Sequence, residues 1–222
     1  MATSLLRFAM SLIVLLVLSV ACSPGEGTEP APTPGGPSGE VLFEDDFSDP
    51  ESGWDRVSNP SSSTDFLDGS YRIFVGQTNH DVWARPDLNF IDSAIEVEAQ
   101  MVGGSDENDF GVICRYRDPG NFYFLVIGSD GFYGIGIMQD GEEPQLIGAT
   151  EMQFSRRINQ GGEPNLIRAE CVGDVLSLYV NGKILDAVTD DRLPSGDVGL
   201  IAGTFDTPGT EILFDNFVVR NP

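Results

Sequence analysis

The 222-residue sequence holds one histidine, three cysteines and two tryptophans, and only 12 lysine and arginine residues against 35 aspartates and glutamates. Each scarcity closes a class of chemistry. A single histidine, His80, cannot supply the two imidazoles of a His-Glu-x-x-His zinc site, and neither a Cys-x-x-Cys spacing nor a phosphate-cradling Walker loop occurs. Metal-assisted hydrolysis and nucleotide chemistry are therefore set aside. His80 lies in the polar stretch Gln77–Asp81 close to Trp83 and takes no assigned role. The formal net charge of −23 repels nucleic acid and anionic lipid, so no nucleic-acid partner is expected. Acidity of this kind serves solubility outside the cytoplasm or the holding of cations. From Val41 onward a 3.6-residue apolar periodicity is also missing, which argues against a helical domain.

The one long apolar run stands at the start, where Arg7 precedes Phe8 to Ala21. A spanning helix needs about 20 apolar residues, whereas a basic start, a short apolar stretch and a small residue before the cut define a secretory signal. Residues 1–21 read as that signal peptide. The boundary Ser19-Val20-Ala21-Cys22 resembles a bacterial lipobox, which implies lipidation of Cys22, an exported protein and attachment to the cell membrane through the lipid. Residues 22–40 then form the tether, since Ser23 to Glu40 carries five prolines, five glycines and no aromatic or large aliphatic residue. Such a stretch buries too little surface to offset its ordering. The rest, 41–222, has the length of one domain with a substantial core.

That domain reads as all-β. Short alternating runs recur between turn signals: Tyr71–Val75, Val82–Arg85, Ala94–Val102, Phe110–Arg117, Asn121–Ile127, Phe132–Met138 and Leu146–Gly148. Asn165 to Gly182 reads as two more strands, Lys183 to Val188 as the returning one, and Gly196–Phe205 and Glu211–Arg220 as the last two. Asp68-Gly69, Asp140-Gly141 and Asn181-Gly182 tolerate the backbone angles of tight turns, so the chain is expected to be a meander of hairpins. Period-two alternation places Ile95, Val97, Ala99 and Met101 inward, with Glu96, Glu98 and Gln100 outward. It also groups Phe110, Val112, Cys114 and Tyr116 on one face opposite Gly111, Ile113 and Arg115, and Ile167, Ala169 and Cys171 opposite Leu166, Arg168 and Glu170. With Cys22 lipidated, two inward cysteines remain in an oxidising setting. A Cys114–Cys171 disulfide is the expected outcome and two buried thiols the alternative.

Five segments together carry a family resemblance: Glu44 to Trp54, Phe110 to Tyr116, Asn121 to Phe124, Leu178 to Gly182 and Phe214 to Phe217. The chain resembles the concanavalin A-like lectin/glucanase superfamily over nearly all of Val41 to Arg220, and within it laminin-G-like and 3-keto-disaccharide hydrolase-like domains. The resemblance implies a two-sheet antiparallel jelly-roll sandwich. It also implies a structural calcium near the first and last strands, with Asp45, Asp46 and Asp215 as ligands beside Glu44. Oxygen donors of that kind suit Ca²⁺.

The strand Glu96-Val-Glu-Ala-Gln100 is similar to the catalytic strand of laminarinase-type glucanases, which alternates Glu, Asp and Glu. Its last place, however, is Gln100. Retaining glycosidases need a nucleophile and a separate proton-donating carboxyl, and an amide has no proton of that kind to give. A hydrolase would have to recruit its acid elsewhere, from Asp109 or Glu170. A sugar-binding face needs only aromatic platforms and a few planar polar groups, for which Trp83, Arg85, Arg115, Tyr123, Tyr133 and Tyr179 are the candidates. The expectation is a surface-tethered, non-catalytic module that binds a polysaccharide or oligosaccharide. The alternative is a glycoside or keto-disaccharide hydrolase with an unrecognised acid pair.

Overall fold

The computed structural model describes residues 39–222, so the leader, Cys22 and most of the tether lie outside the described residues. Among the described residues there are sixteen strands and no helix. The first sheet runs β14 (Lys183–Thr189), β13 (Val175–Val180), β12 (Asn165–Val172), β6 (Ser93–Gly103), β16 (Thr210–Arg220), β4 (Ser70–Val75), β3 (Ser62–Leu67) and β2 (Val57–Asn59). There β1 (Val41–Asp45) pairs with the end of β16. The second runs β10 (Gln145–Leu146), β9 (Phe132–Met138), β8 (Asn121–Ile127), β7 (Asn108–Asp118), β15 (Asp197–Thr204) and β5 (His80–Ala84). Here β11 (Gln153–Phe154) also pairs with β9.

Local hairpins and long-range pairings alternate. The turn at Asn181-Gly182 has φ of 50° and 73°, as the sequence leads one to expect of a left-handed two-residue turn, and it joins β13 to β14. The meander expectation fails between hairpins, because β6 pairs with β12 and β16, and β15 inserts between β5 and β7. Short turns govern neighbours in sequence, but burial of two apolar faces governs which hairpins lie together.

The two sheets close on one core. From the first come Ile95, Val97, Ala99, Ile167, Ala169, Leu178 and Phe214; from the second, Phe110, Val112, Tyr123, Leu125, Ile135 and Leu200, all buried. Glu98 and Gln100 face outward, as the alternation requires. Cys114 on β7 and Cys171 on β12 form the expected disulfide, with Cα atoms 6.8 Å apart, and so tie sheet to sheet.

Alternation holds along β7 only as far as Cys114. Arg115 takes a φ of 52° and the pairing with β15 slips between Ile113 and Tyr116, so one extra residue is accommodated in a bulge. Tyr116 is thereby turned away from the Phe110–Cys114 face and joins Ile113, Phe122, Phe124, Val126 and Ile201 on the opposite side of the second sheet. The grouping of Tyr116 with Cys114 is thus corrected.

Candidate functional site

The second sheet is apolar on both faces, which an ordinary solvated sheet is not. Its inward residues on β8 are Tyr123, Leu125 and Ile127, while Phe122, Phe124 and Val126 pack among themselves on the other face with Ile113, Tyr116 and Ile201. Glycines on β9 make this outer layer possible. A Cβ at Gly136 would lie 2.1 Å from the Phe124 ring, so only glycine leaves room for that ring over the strand. The segment carrying β10 and β11 folds back onto β9 and forms one wall through Glu143, Pro144, Leu146 and Met152. Asn79, His80, Thr204 and Phe205 stand at the other side.

The result is a groove of about 580 Å³ floored by Trp83, Phe122, Phe124, Val126 and Ile201. Trp83 packs on Phe122 with ring centroids 5.2 Å apart and on Tyr116 at 6.5 Å. A neighbouring cavity of about 290 Å³, lined by Glu107, Asn108, Asp130 and Phe132, shares Met152 and Phe205 with the groove, so the two adjoin. A larger depression of about 700 Å³ beside Tyr133 is lined mainly by Gly148, Ala149, Thr150, Glu151 and Gln153 and offers no comparable apolar floor.

Two carboxylates stand in the groove. Asp81 on β5 and Asp109 on β7 are each in register with Gly203 on the strand between them. A Cβ at Gly203 would lie 2.1 Å from Asp109 Oδ1 and 2.2 Å from Asp81 Oδ1, so both side chains lean over the bare glycine and face each other. Burial pushes the Asp109 carboxyl up to about 8, and the charge of Asp81 adds to the rise. Burial raises Asp81 as well, with His80 opposing. Both carboxyls are thus biased toward their protonated forms, and the titration is a property of the pair rather than of either residue.

The six expected sugar contacts are scattered. Trp83 lines the groove, and Arg85 lies beside its end, 4.3 Å over the Tyr116 ring and ion-paired to Asp55 and Asp197. Arg115 is a correction. Only 3% exposed, it donates to the carbonyls of Ile91, Leu193 and Gly173 and presents no free fork to a ligand. Tyr123 is likewise fully buried, its hydroxyl donating to Asp190 at 2.6 Å, and burial lifts it to about 12. Tyr133 donates to the Leu185 carbonyl outside the groove. Tyr179 belongs to the first sheet, stacked under Arg168 at 4.3 Å with its hydroxyl 3.1 Å from Glu170.

Glu170 is thereby committed to Arg168 and Tyr179, which leaves Asp109 as the only groove carboxyl among the acids considered from sequence. Of the residues expected to hold calcium, Asp45 and Asp46 have partners within the protein. First and last strands do pair, with Asp45 opposite Phe217, yet Asp45 accepts the Trp54 indole and the Phe47 amide while Asp46 accepts Ser48. Among the described residues no three acidic, imidazole or thiol groups gather as a metal-binding set.

No protein-family model matches the chain, and no curated protein matches it in sequence. Solved structures do match in shape. Carbohydrate-binding module CBM66 from Bacillus subtilis superposes with a TM-score of 0.62 at 15% identity, covering 76% of this chain and 96% of that one. A Bacillus licheniformis β-glucanase gives 0.57 at 10%, covering 84% and 100%. The fold is a concanavalin A-like jelly-roll sandwich. An endo-β-galactosidase from Clostridium perfringens that releases GlcNAcα1-4Gal matches at 0.58 with 12% identity, covering 87% of this chain and 65% of that one. Concanavalin A-like sandwiches at such identities share architecture, while function rests on the side chains grafted onto it.

Missing from the sequence reading were Asp81, Tyr116, Phe122 and Phe124. The signal was present in Asn121–Ile127, where both alternating sets are apolar and the outer set has no partner sheet.

Proposed function

We propose that this chain is a surface-tethered lipoprotein whose concanavalin A-like domain binds a polysaccharide or oligosaccharide along the outer face of its second sheet without cleaving it. The observation that carries the reading is the groove itself, in which Trp83 and Phe122 lie beside the Asp81–Asp109 pair. Aromatic rings cover the apolar face of a pyranose, and carboxyl groups accept from its hydroxyls. The adjoining cavity suits a ligand longer than one sugar. Support also comes from the neighbours, which include a carbohydrate-binding module and glycan-acting enzymes. The tether rests on the lipobox-like Ser19–Cys22 boundary and the proline- and glycine-rich stretch that follows.

A second reading, glycoside hydrolysis, is favoured by one feature, that burial and the charge of Asp81 push the Asp109 carboxyl up to about 8. Geometry weighs against it. Two oxygens lying within 2.2 Å of one point stand closer together than the roughly 5 Å between the carboxyls of a retaining glycosidase. That spacing leaves no room for a glycosidic bond between them.

Glycan-array binding followed by titration of the hit tests the proposal. Trp83→Ala is expected to weaken binding by at least about 1 kcal/mol through loss of a stacking surface, with circular dichroism unchanged. Release of reducing ends from the bound glycan would reject the non-catalytic reading. For the tether, mass spectrometry should find an acyl group on Cys22, and Cys22→Ser should free the protein from membranes; a mature chain starting elsewhere contradicts it.

A further inference from the structure

We infer that the Asp81–Asp109 end of the groove is a subsite for an amine-bearing sugar, the class represented by a β-1,4-linked glucosamine oligomer. This rests on the carbohydrate reading above and adds a ligand chemistry to it. The argument begins with charge. Two carboxylates lean over Gly203 in an apolar-floored groove, and the interactions that set their protonation include no donor from another residue. His80 is the one basic residue lining the groove. The other titratable groups about the pair are Glu143 in the groove wall and Glu107 and Asp130 in the adjoining cavity, all acidic.

Arginines close to this face are already used. Arg85 is held by Asp55 and Asp197, and Arg192 by Asp190. The protein thus gathers negative charge in a half-buried place with His80 as the one basic residue beside it, so a proton fills the remaining deficit when the groove is open. An ammonium group does so better. It carries a full charge and three donors, and hydrogen bonds between ionised partners are about twice as strong as neutral ones.

Position agrees with chemistry. Asp81 and Trp83 are two residues apart on one face of β5, a separation of roughly 6.6 Å, so a sugar lying on Trp83 sets a ring substituent toward the pair. A sugar carrying a carboxylate or sulfate would meet only like charge there. When an ammonium enters, both carboxyls ionise and the proton the pair held passes to the buffer. Amine binding is therefore coupled to proton release, and its affinity increases with pH until the ligand amine itself deprotonates.

The test uses the full chain and three β-1,4 hexasaccharides that differ only at C2, bearing an amine, an acetamide or a hydroxyl. Titration calorimetry at pH 5.5, where the ring amine enters already protonated, repeated in buffers of different ionisation enthalpy, is expected to show the amine oligomer binding at least tenfold tighter than the hydroxyl one, with a proton released. In D81N and D109N, which keep side-chain size and whose folding is checked by near-ultraviolet circular dichroism, the amine-to-hydroxyl ratio should fall close to one. Equal or weaker amine binding, or a ratio kept in both variants, overturns the inference. The carbohydrate reading then survives if the hydroxyl or acetamide oligomer binds and W83A weakens it. Binding of none of the three oligomers overturns the inference, with array hits then deciding the wider reading. Calcium binding without sugar, lost in D81N and D109N, would reassign the pair to a divalent cation and also overturn it.

Discussion

The guanidinium of Arg115, on β7 of the second sheet, donates to the carbonyl of Gly173, in the β12–β13 turn of the first, at 2.7 Å. The same side chain caps the carbonyls of Leu193 at 3.0 Å and Ile91 at 3.2 Å, and Asp92, which also accepts the Gly173 amide, lies 3.4 Å away. One bulged residue thus joins three loops at the end of the sandwich where the disulfide crosses. Its role is structural.

Replacing Arg115 by alanine should cost about 3 kcal/mol, since it removes charge-assisted bonds and strands buried carbonyls. Arg115→Lys should recover only part of this, because an ammonium lacks the planar fork. Urea denaturation measures both. An unchanged midpoint for the alanine variant would show that solvent satisfies these carbonyls and that Arg115 is dispensable.

The neighbouring Cys114–Cys171 bridge closes a separation of 57 residues. In the chain-entropy model, a loop of this length stabilises the fold by about 4 kcal/mol. A Cys114→Ala/Cys171→Ala variant should lose stability of that order in denaturant. Thiol titration of unreduced, denatured protein should count none from this pair, and two would contradict the bridge.

How much of this could be read from sequence follows one physical line. Where one face is buried and the other solvated, alternation shows it plainly, as in β6 with Ile95, Val97 and Ala99 inward and Glu98 and Gln100 outward. Asx-Gly turns were legible for the same local reason. β3 was not, because its inward positions carry Ser62 and Thr64, whose polarity hides their burial; the Thr64 hydroxyl is satisfied by the Asp55 carbonyl and the Val57 amide. The groove escaped because its two carboxylates belong to strands far apart in sequence and meet only through β15. Arg115 was misplaced because a single left-handed residue inverts every face after it, and nothing in Cys114-Arg115-Tyr116 announces the bulge.

Asp109 gives stability a pH dependence of known sign. Below the ordinary carboxylate range, folded and unfolded chains both hold its proton. As pH rises past that range the unfolded chain ionises first, so the folded state loses relative stability until pH passes about 8, beyond which the loss is constant. Asp109→Asn removes this contribution. The variant should gain on the parent by at least about 1 kcal/mol between pH 5 and pH 8, where each unit of pKa difference is worth about 1.4 kcal/mol. A parent-minus-variant difference that stays flat across that range would place Asp109 in water.

Gly203 provides the sharpest geometric test of the same row. Alanine there brings a methyl within 2.1 Å of Asp109 Oδ1 and 2.2 Å of Asp81 Oδ1, closer than any contact can be, while no backbone atom is among the nearest obstacles. The obstacles are the ends of two rotatable side chains, which swing away toward solvent at small cost. Gly203 has no left-handed φ, so alanine adds no backbone strain, and narrowing of the unfolded ensemble favours it by about 0.4 to 1 kcal/mol. Gly203→Ala should therefore fold, with a melting temperature at pH 8.5 no lower than the parent's. Its pH dependence between 5 and 8 should shrink, because the displaced carboxyls are hydrated and no longer face each other. Binding along the groove should weaken at the same time, since the acceptors have moved. A variant that unfolds or aggregates would show that the two aspartates are packed immovably over the strand, and one that keeps the parent's pH profile would show that they never converged there.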